Sequence, residues 1–201
     1  MKVVAGVEPA FASAYDDAVD AGIRAAAQAG KVHAVGSCGL GNAGEALPDG
    51  RLGSAVPSAS ARMHAFERQI TIAREFGLPL IVQANGAHAQ TREALEGEGF
   101  PLDCVLVRAF SGSDDDLRAW VQAGSYISFG GWSADDPTEL ARLVELVPTD
   151  RVLVESCAPQ ETIDQLAGLP ARCDQVVFVA DAMRSYVSAE QLASNAAAFY
   201  G

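Results

Sequence analysis

Short apolar runs recur along the chain, at residues 3–7, 32–38, 78–83, 104–110, 125–130 and 151–156, and an amphipathic or Ala-rich stretch follows each. Runs such as LPLIV, VLV and RVLVE are apolar without alternation, the pattern of a strand covered on both faces. Between them, Ala12 to Ala29 reads as a helix with Asp16, Asp17 and Asp20 toward its start and Gly30 as its stop. Residues 39–58 are rich in Gly, Pro and Ser, lack any period, and predict a long loop. A second helix resumes near Ser60, with Met63, Phe66, Ile70, Ala73 and Phe76 on one stripe and Glu67, Arg68 and Arg74 off it, and Gly77 and Pro79 close it. Further helices are predicted over 87–97, from Ser113 and Asp114 to Asp116 with Leu117, Trp120 and Val121 facing inward, and from Pro137 to Val147 after Asp136. A short helix is predicted from Gln160 to Ala167. Val176 to Val179 suits a strand, yet Asp174 to Tyr186 suits a buried helix equally; a last helix runs from a cap at Ser188 through Phe199.

Strand and helix alternate throughout, which predicts an α/β fold with a parallel sheet and helical crossovers. At 201 residues, 49% hydrophobic and mean hydropathy +0.12, the chain has apolar material for one core, so residues 1–201 are expected to form one domain. No run approaches the roughly 18 apolar residues of a membrane span, and MKVVAGVEP is not a secretory leader; a cytoplasmic address is the expectation. The four cysteines, Cys38, Cys104, Cys157 and Cys173, have no zinc-type spacing and are expected to be reduced.

Charge narrows the partners. Twenty-six acids against fourteen bases leave −12, with lysine only at Lys2 and Lys31. Such a field repels polyanions, so nucleic acid is not expected as a partner unless divalent cations invert the field locally.

The runs VVAGVEP (3–9), VHAVGSCGLG (32–41), GLPLIVQANGA (77–87), VLVRAFSGS (105–113), YISFGGW (126–132) and DRVLVESCAP (150–159), with HAFERQITIAREFGLP before the third, resemble the TatD family of metal-dependent hydrolases and deoxyribonucleases. The resemblance covers Val3 to Gly201. It implies a TIM-barrel-like (β/α) fold with the site at the C-terminal ends of the strands, and it favours helix for the tail over 174–201. The chain opens at what resembles the family's third strand. Six strands are recognisable where eight are expected, so the barrel is expected to be incomplete, lacking the first two β/α units. Self-association as a two-fold homodimer, or another chain, is expected to cover the gap; an open or smaller barrel, or a natural start upstream of Met1, are the other solutions.

The resemblance also says which side chains should hold a divalent metal. It places Glu8 where a His is expected, Ser37 for a Glu, Gln83 for a His, Arg108 for a His and Cys157 for an Asp, with Gly41 and Asn85 at an Asp and an Arg of flanking motifs. An arginine cannot ligate a metal and opposes one electrostatically. No cofactor and no metal ligand is therefore predicted, although the family uses a divalent metal. The expected function is that of a TatD-like homologue without its metal ligands, serving binding or assembly. The alternative is an active phosphodiesterase or DNase with a site re-formed on Glu8 and Cys157, or with ligands from a partner chain or a missing N-terminal segment.

What remains at those strand ends is a set of vestigial positions, Glu8, Ser37, Gln83, Arg108 and Cys157, with Trp132 nearby. Arg108 could hold a small anion, or lower the pKa of Cys157, or pair with Glu8 or Glu155 and plug the cleft. His33, His64 and His88 read as surface or packing residues. Asp114 to Asp116 read as dipole partners of a helix, GLGNAG (39–44) lacks the spacing of a phosphate loop, and the double glycine of SFGGW fits either a ligand approach or a tight turn.

Overall fold

The computed structural model describes residues 1–41, 56–130, 137–156 and 176–201. The predicted helix Gln160 to Ala167 and most of the predicted loop 39–58 lie outside these residues, as do Asp136, Trp132, Cys157 and Cys173. The chain divides into two compact units, Met1–Leu106 with Tyr200–Gly201, and Val107–Phe199.

In the first unit, strands β1 (Val4–Ala5), β2 (Ala34–Gly39), β3 (Leu80–Gln83) and β4 (Val105–Val107, whose last residue opens the second unit) follow one another in sheet order. β1 pairs parallel with β2, Val4 opposite Ala34, and β2 with β3, Val35 opposite Leu80 and Gly39 opposite Gln83. The register shifts between Val35 and Cys38, so Ser37 sits in an irregular stretch of β2. Val35, Leu80, Val82, Val105 and Val107 are fully buried, as an apolar parallel sheet requires.

The helices of this unit are set by their caps. The Ala-rich run does not form one helix: a 3-10 turn covers Pro9–Ala14, and α1 (Asp17–Gln28) begins later, because the Asp16 side chain accepts the Val19 N–H at 2.8 Å. Ser58 caps α2 (Ala59–Phe76), and Gly77, at φ 62°, ends it in the left-handed conformation that glycine adopts without a Cβ penalty. Phe66, Ile70, Ile72 and Ala73 of α2 are buried. Buried Gln69 ties α2 to the end of β1: it accepts the Val7 N–H at 2.7 Å and donates to the Val7 carbonyl at 3.1 Å. α3 (His88–Gly97) buries Thr91 and Leu95.

One polar group is buried between α1 and α2. Asp20, 3% exposed, accepts from Tyr15 Oη at 2.9 Å, Arg24 Nε at 2.6 Å and Arg68 Nε at 2.9 Å. Burial alone would raise its pKa, but the bonds from Arg68, Arg24 and Tyr15 outweigh it and hold the carboxyl at about 2.

In the second unit, β5 (Tyr126–Phe129) and β6 (Val152–Val154) pair parallel, Ile127 opposite Val152 and Phe129 opposite Val154. α4 (Asp114–Gln122) opens on a reciprocal capping box between Ser113 and Asp116 and buries Leu117 and Trp120. α5 (Pro137–Glu145) buries Leu140, Leu143 and Val144. The tail forms two helices, α6 (Val176–Ala182) and α7 (Ala189–Tyr200). Buried Asn195 fastens α7, donating to the carbonyls of Thr149 at 2.7 Å and Val152 at 2.8 Å.

Candidate functional site

The vestigial positions fall in both units: Glu8, Ser37 and Gln83 in the first, Arg108 in the second. Cys157 lies outside the described residues.

In the first unit Gln83 closes β3, Ser37 lies within β2, and Glu8 comes three residues after β1. Glu8 follows β1, is half-buried, and its carbonyl accepts the Phe11 N–H at 2.9 Å to open the 3-10 turn. Ser37 and Gln83 lie on neighbouring strands, β2 and β3. Ser37 Oγ and Gln83 Oε1 are sealed from solvent without a hydrogen-bond partner. Leaving such an atom unpaired costs about 1–3 kcal/mol. The third atom in this condition among the described residues is Arg62 Nε, one that sequence reasoning did not single out; Arg62 donates from Nη1 to the Leu40 carbonyl at 2.8 Å.

Beyond Gln83 the backbones of β2 and β3 approach closely. The Gly41 N–H donates to the Gln83 carbonyl at 2.9 Å. A Cβ at Gly41 would lie 2.5 Å from the Asn85 carbonyl oxygen and 2.6 Å from Ala84 C, so position 41 admits no side chain unless the backbone moves. The Asp that the resemblance expects there does not fit this backbone. Cys38, buried beside Ser37, donates to the Ile81 carbonyl at 3.5 Å, and burial pushes its thiol pKa up, away from reactivity. His88 is buried at the start of α3, His64 is exposed with its ring edge-on to Tyr15, and His33 accepts the Val3 N–H at Nδ1.

In the second unit Arg108 follows directly on β4 and meets Glu155, which follows directly on β6. Arg108 Nε and Nη2 both reach Glu155 Oε2 at 3.1 Å, with the two side chains about one-fifth exposed, 19% and 20%. The other carboxylate oxygen, Oε1, accepts the Ala109 N–H at 2.6 Å and the Ser128 hydroxyl. Ala109 adopts φ 44°, rare for a residue with a Cβ, and its N–H also reaches Ser128 Oγ at 3.1 Å. Of the partners the sequence left open for Arg108, Glu155 is bonded to it here.

Glu155 needs a glycine opposite it. A Cβ at Gly130 would lie 2.1 Å from the Glu155 carbonyl oxygen and 2.8 Å from its Cγ. The first glycine of SFGGW therefore admits Glu155. No residue-type signal marked Ser128 or Ala109, because one acts through a hydroxyl and the other through its backbone.

In the first unit Ser37 and Gln83 offer neutral oxygens and Glu8 a carboxylate; in the second, Arg108 brings a fixed positive charge whose counter-ion is in place. Among the described residues no three His, Cys, Asp or Glu side chains gather in a group that could hold a cation. The chemistry seen in the second unit is hydrogen bonding and charge pairing.

Comparison with known proteins gives a consistent family. The family model described as TatD related DNase matches residues 1–200. The 3'-5' ssDNA/RNA exonuclease TatD of Cronobacter sakazakii is 32% identical over 168 residues, 83% of this chain and 60% of the relative. The protein of the same name from Musicola paradisiaca is 34% identical over 157 residues, 77% of this chain and 56% of the relative. The chain thus spans less than two thirds of the length of these relatives. Among solved structures, YjjV, a TatD homologue from Escherichia coli K12, superposes with a TM-score of 0.82 at 22% identity, covering 99% of this chain and 76% of that one. The α/β, TIM-barrel-like fold follows from that match.

Proposed function

We propose that this chain, which belongs to the TatD-related DNase family, retains the family's (β/α) framework without its divalent-metal chemistry, and serves by binding or assembly. The observation that carries this reading is the ion pair between Arg108 and Glu155. At the strand end where the resemblance expects a metal-ligating His, a guanidinium that stays protonated is held by a carboxylate whose two oxygens accept from Arg108, Ala109 and Ser128. A cation placed beside Arg108 would meet like charge, and Glu155 could join it only by abandoning these bonds. Gly41 adds a steric argument, since the acid expected at that position has no room.

Phosphodiester hydrolysis by metal ions needs cations that generate the nucleophile and neutralise the transferring group. At net charge −12 the chain's own field opposes a nucleic-acid backbone. The exonuclease activity in the relatives' names is accordingly not carried over to this chain. Metal analysis of the purified protein, with a nuclease assay on single-stranded DNA and RNA in added Mg, Mn or Zn, tests the reading. Sub-stoichiometric metal and no metal-dependent turnover are expected; stoichiometric metal with turnover contradicts it.

A further inference from the structure

Three neighbouring strands of the second unit direct donors and acceptor onto one point. Arg108 and Ala109 follow or extend β4, Ser128 lies in β5 and Glu155 follows β6. The backbone on both sides is fixed: the Phe110 N–H donates to the Ser128 carbonyl and the Glu155 N–H to the Phe129 carbonyl, each at 3.0 Å. Oε2 of Glu155 accepts from Arg108 Nε and Nη2, and Oε1 from the Ala109 N–H and the Ser128 hydroxyl. A salt bridge needs only a cation, whereas this carboxylate meets a cation, a backbone amide and a hydroxyl, the donor set of an oxyanion receptor. Aiming that amide has a conformational cost, because Ala109 is held at φ 44°, and non-glycine residues in this region collect at ligand clamps and switches. The Arg108 and Glu155 side chains are 19% and 20% exposed, so the group opens to solvent.

None of these donors lies on the strand that carries Glu155, so receptor and occupant are separate parts of the chain. We propose that Arg108, Ala109 and Ser128 form a binding site for a small carboxylate, which the chain's own Glu155 fills as an autoinhibitory contact. One ligand oxygen meets Arg108 Nε and Nη2, and the other meets the Ala109 N–H and the Ser128 hydroxyl, as the Glu155 carboxylate does. The space is that of the Glu155 carboxylate itself, so a ligand enters only as Glu155 leaves. As a tethered group Glu155 outcompetes a free carboxylate. A small monoanion is also the ligand least opposed by a net charge of −12, because long-range repulsion grows with ligand charge while the Arg108 contact is local. The proposal rests on the binding role put forward above, with no divalent metal at these strand ends.

Removing the occupant tests the site. The full chain carrying Glu155→Ala is unfolded by urea in sodium formate and in sodium chloride of equal ionic strength, beside the parent and a double variant that also carries Arg108→Met. Formate at about 0.1 M is expected to shift the unfolding equilibrium of Glu155→Ala toward the folded state by about tenfold over chloride, the effect of a dissociation constant of about 10 mM. The Ala109 amide resonance is expected to move with it. The parent, whose site is filled, and the double variant, which lacks the guanidinium, are expected to show no difference between the salts. If Glu155→Ala is unfolded in chloride, formate up to about 1 M is expected to restore its fold. Equal behaviour of Glu155→Ala in the two salts, or an unfolded variant that formate does not restore, overturns the proposal. The same formate response in the parent or the double variant overturns it as well. Elemental analysis of the parent keeps the two failures distinguishable: a stoichiometric metal overturns the metal-free reading, whereas a metal-free chain whose Glu155→Ala variant ignores formate overturns the self-filled site alone.

Discussion

Gly130 and Glu155 are fitted to each other: a Cβ at position 130 would lie 2.1 Å from the Glu155 carbonyl oxygen and 2.8 Å from its Cγ. Gly130→Ala therefore forces β5 and the end of β6 apart and is expected to destabilise the chain by about 2 kcal/mol or more. Gly22, inside α1, is the contrasting case, since a Cβ there meets nothing within 4 Å. Gly22→Ala is expected to stabilise by about 0.5–1 kcal/mol through helix propensity. Urea denaturation of both variants checks the pair, and a silent Gly130→Ala contradicts the close approach.

Removing the Glu155 carboxylate takes an acceptor from four donor groups at once: Arg108 Nε and Nη2, the Ala109 N–H and the Ser128 hydroxyl. Glu155→Ala is expected to cost about 3 kcal/mol. Arg108→Met leaves Glu155 with its Ala109 and Ser128 donors and is expected to cost less. Equal and negligible losses in chemical denaturation would show that the pair does not hold these strand ends together.

Asp20 sets a pH dependence whose sign is fixed. Its folded carboxyl titrates at about 2, held there by Arg68, Arg24 and Tyr15 against the effect of burial, whereas an unfolded Asp titrates near 4. The resulting stability, about 2 kcal/mol, is fully present above the unfolded value and is lost as pH falls from about 4 toward 2. Asp20→Asn is expected to be less stable at neutral pH and to lose this part of the acid dependence. Denaturation midpoints between pH 2 and 7 for both proteins check it; parallel profiles would contradict the network.

Ser37→Ala deletes an unpartnered hydroxyl that is sealed from solvent. The variant is expected to be at least as stable as the parent, with a gain of about 1 kcal/mol. A clear loss of thermal stability would mean that Oγ has a partner in solution.

Much of the fold was legible in the chain, because strands such as Leu80–Gln83 and Val105–Val107 are buried on both faces and read as unbroken apolar runs. The cap at Ser113 followed from residue type and position, although the cap at Ser58 and the start of α1 did not. There, Asp16 acts as the cap, and the Pro9–Ala14 segment before it forms a separate 3-10 turn. The site was legible only in part. That Arg108 opposes a metal follows from its chemistry, whereas its partner depends on the register that puts Phe129 opposite Val154 and so brings Glu155 beside Gly130. Ala109 contributes a backbone N–H at an unusual φ, which its identity does not announce. Sequence did not single out Arg62 and marked Asp20 only as an acid toward a helix start, since their partners lie far along the chain, Leu40 for one and Arg68 for the other.

The most direct measurement is the metal content of the purified chain after equilibration with Mg, Mn and Zn, read by elemental analysis beside phosphodiesterase turnover on single-stranded DNA. The ion pair between Arg108 and Glu155 predicts well under one equivalent of any of these ions and no metal-dependent turnover. One or more tightly held equivalents, with turnover abolished by a chelator and restored by the ion, would contradict it.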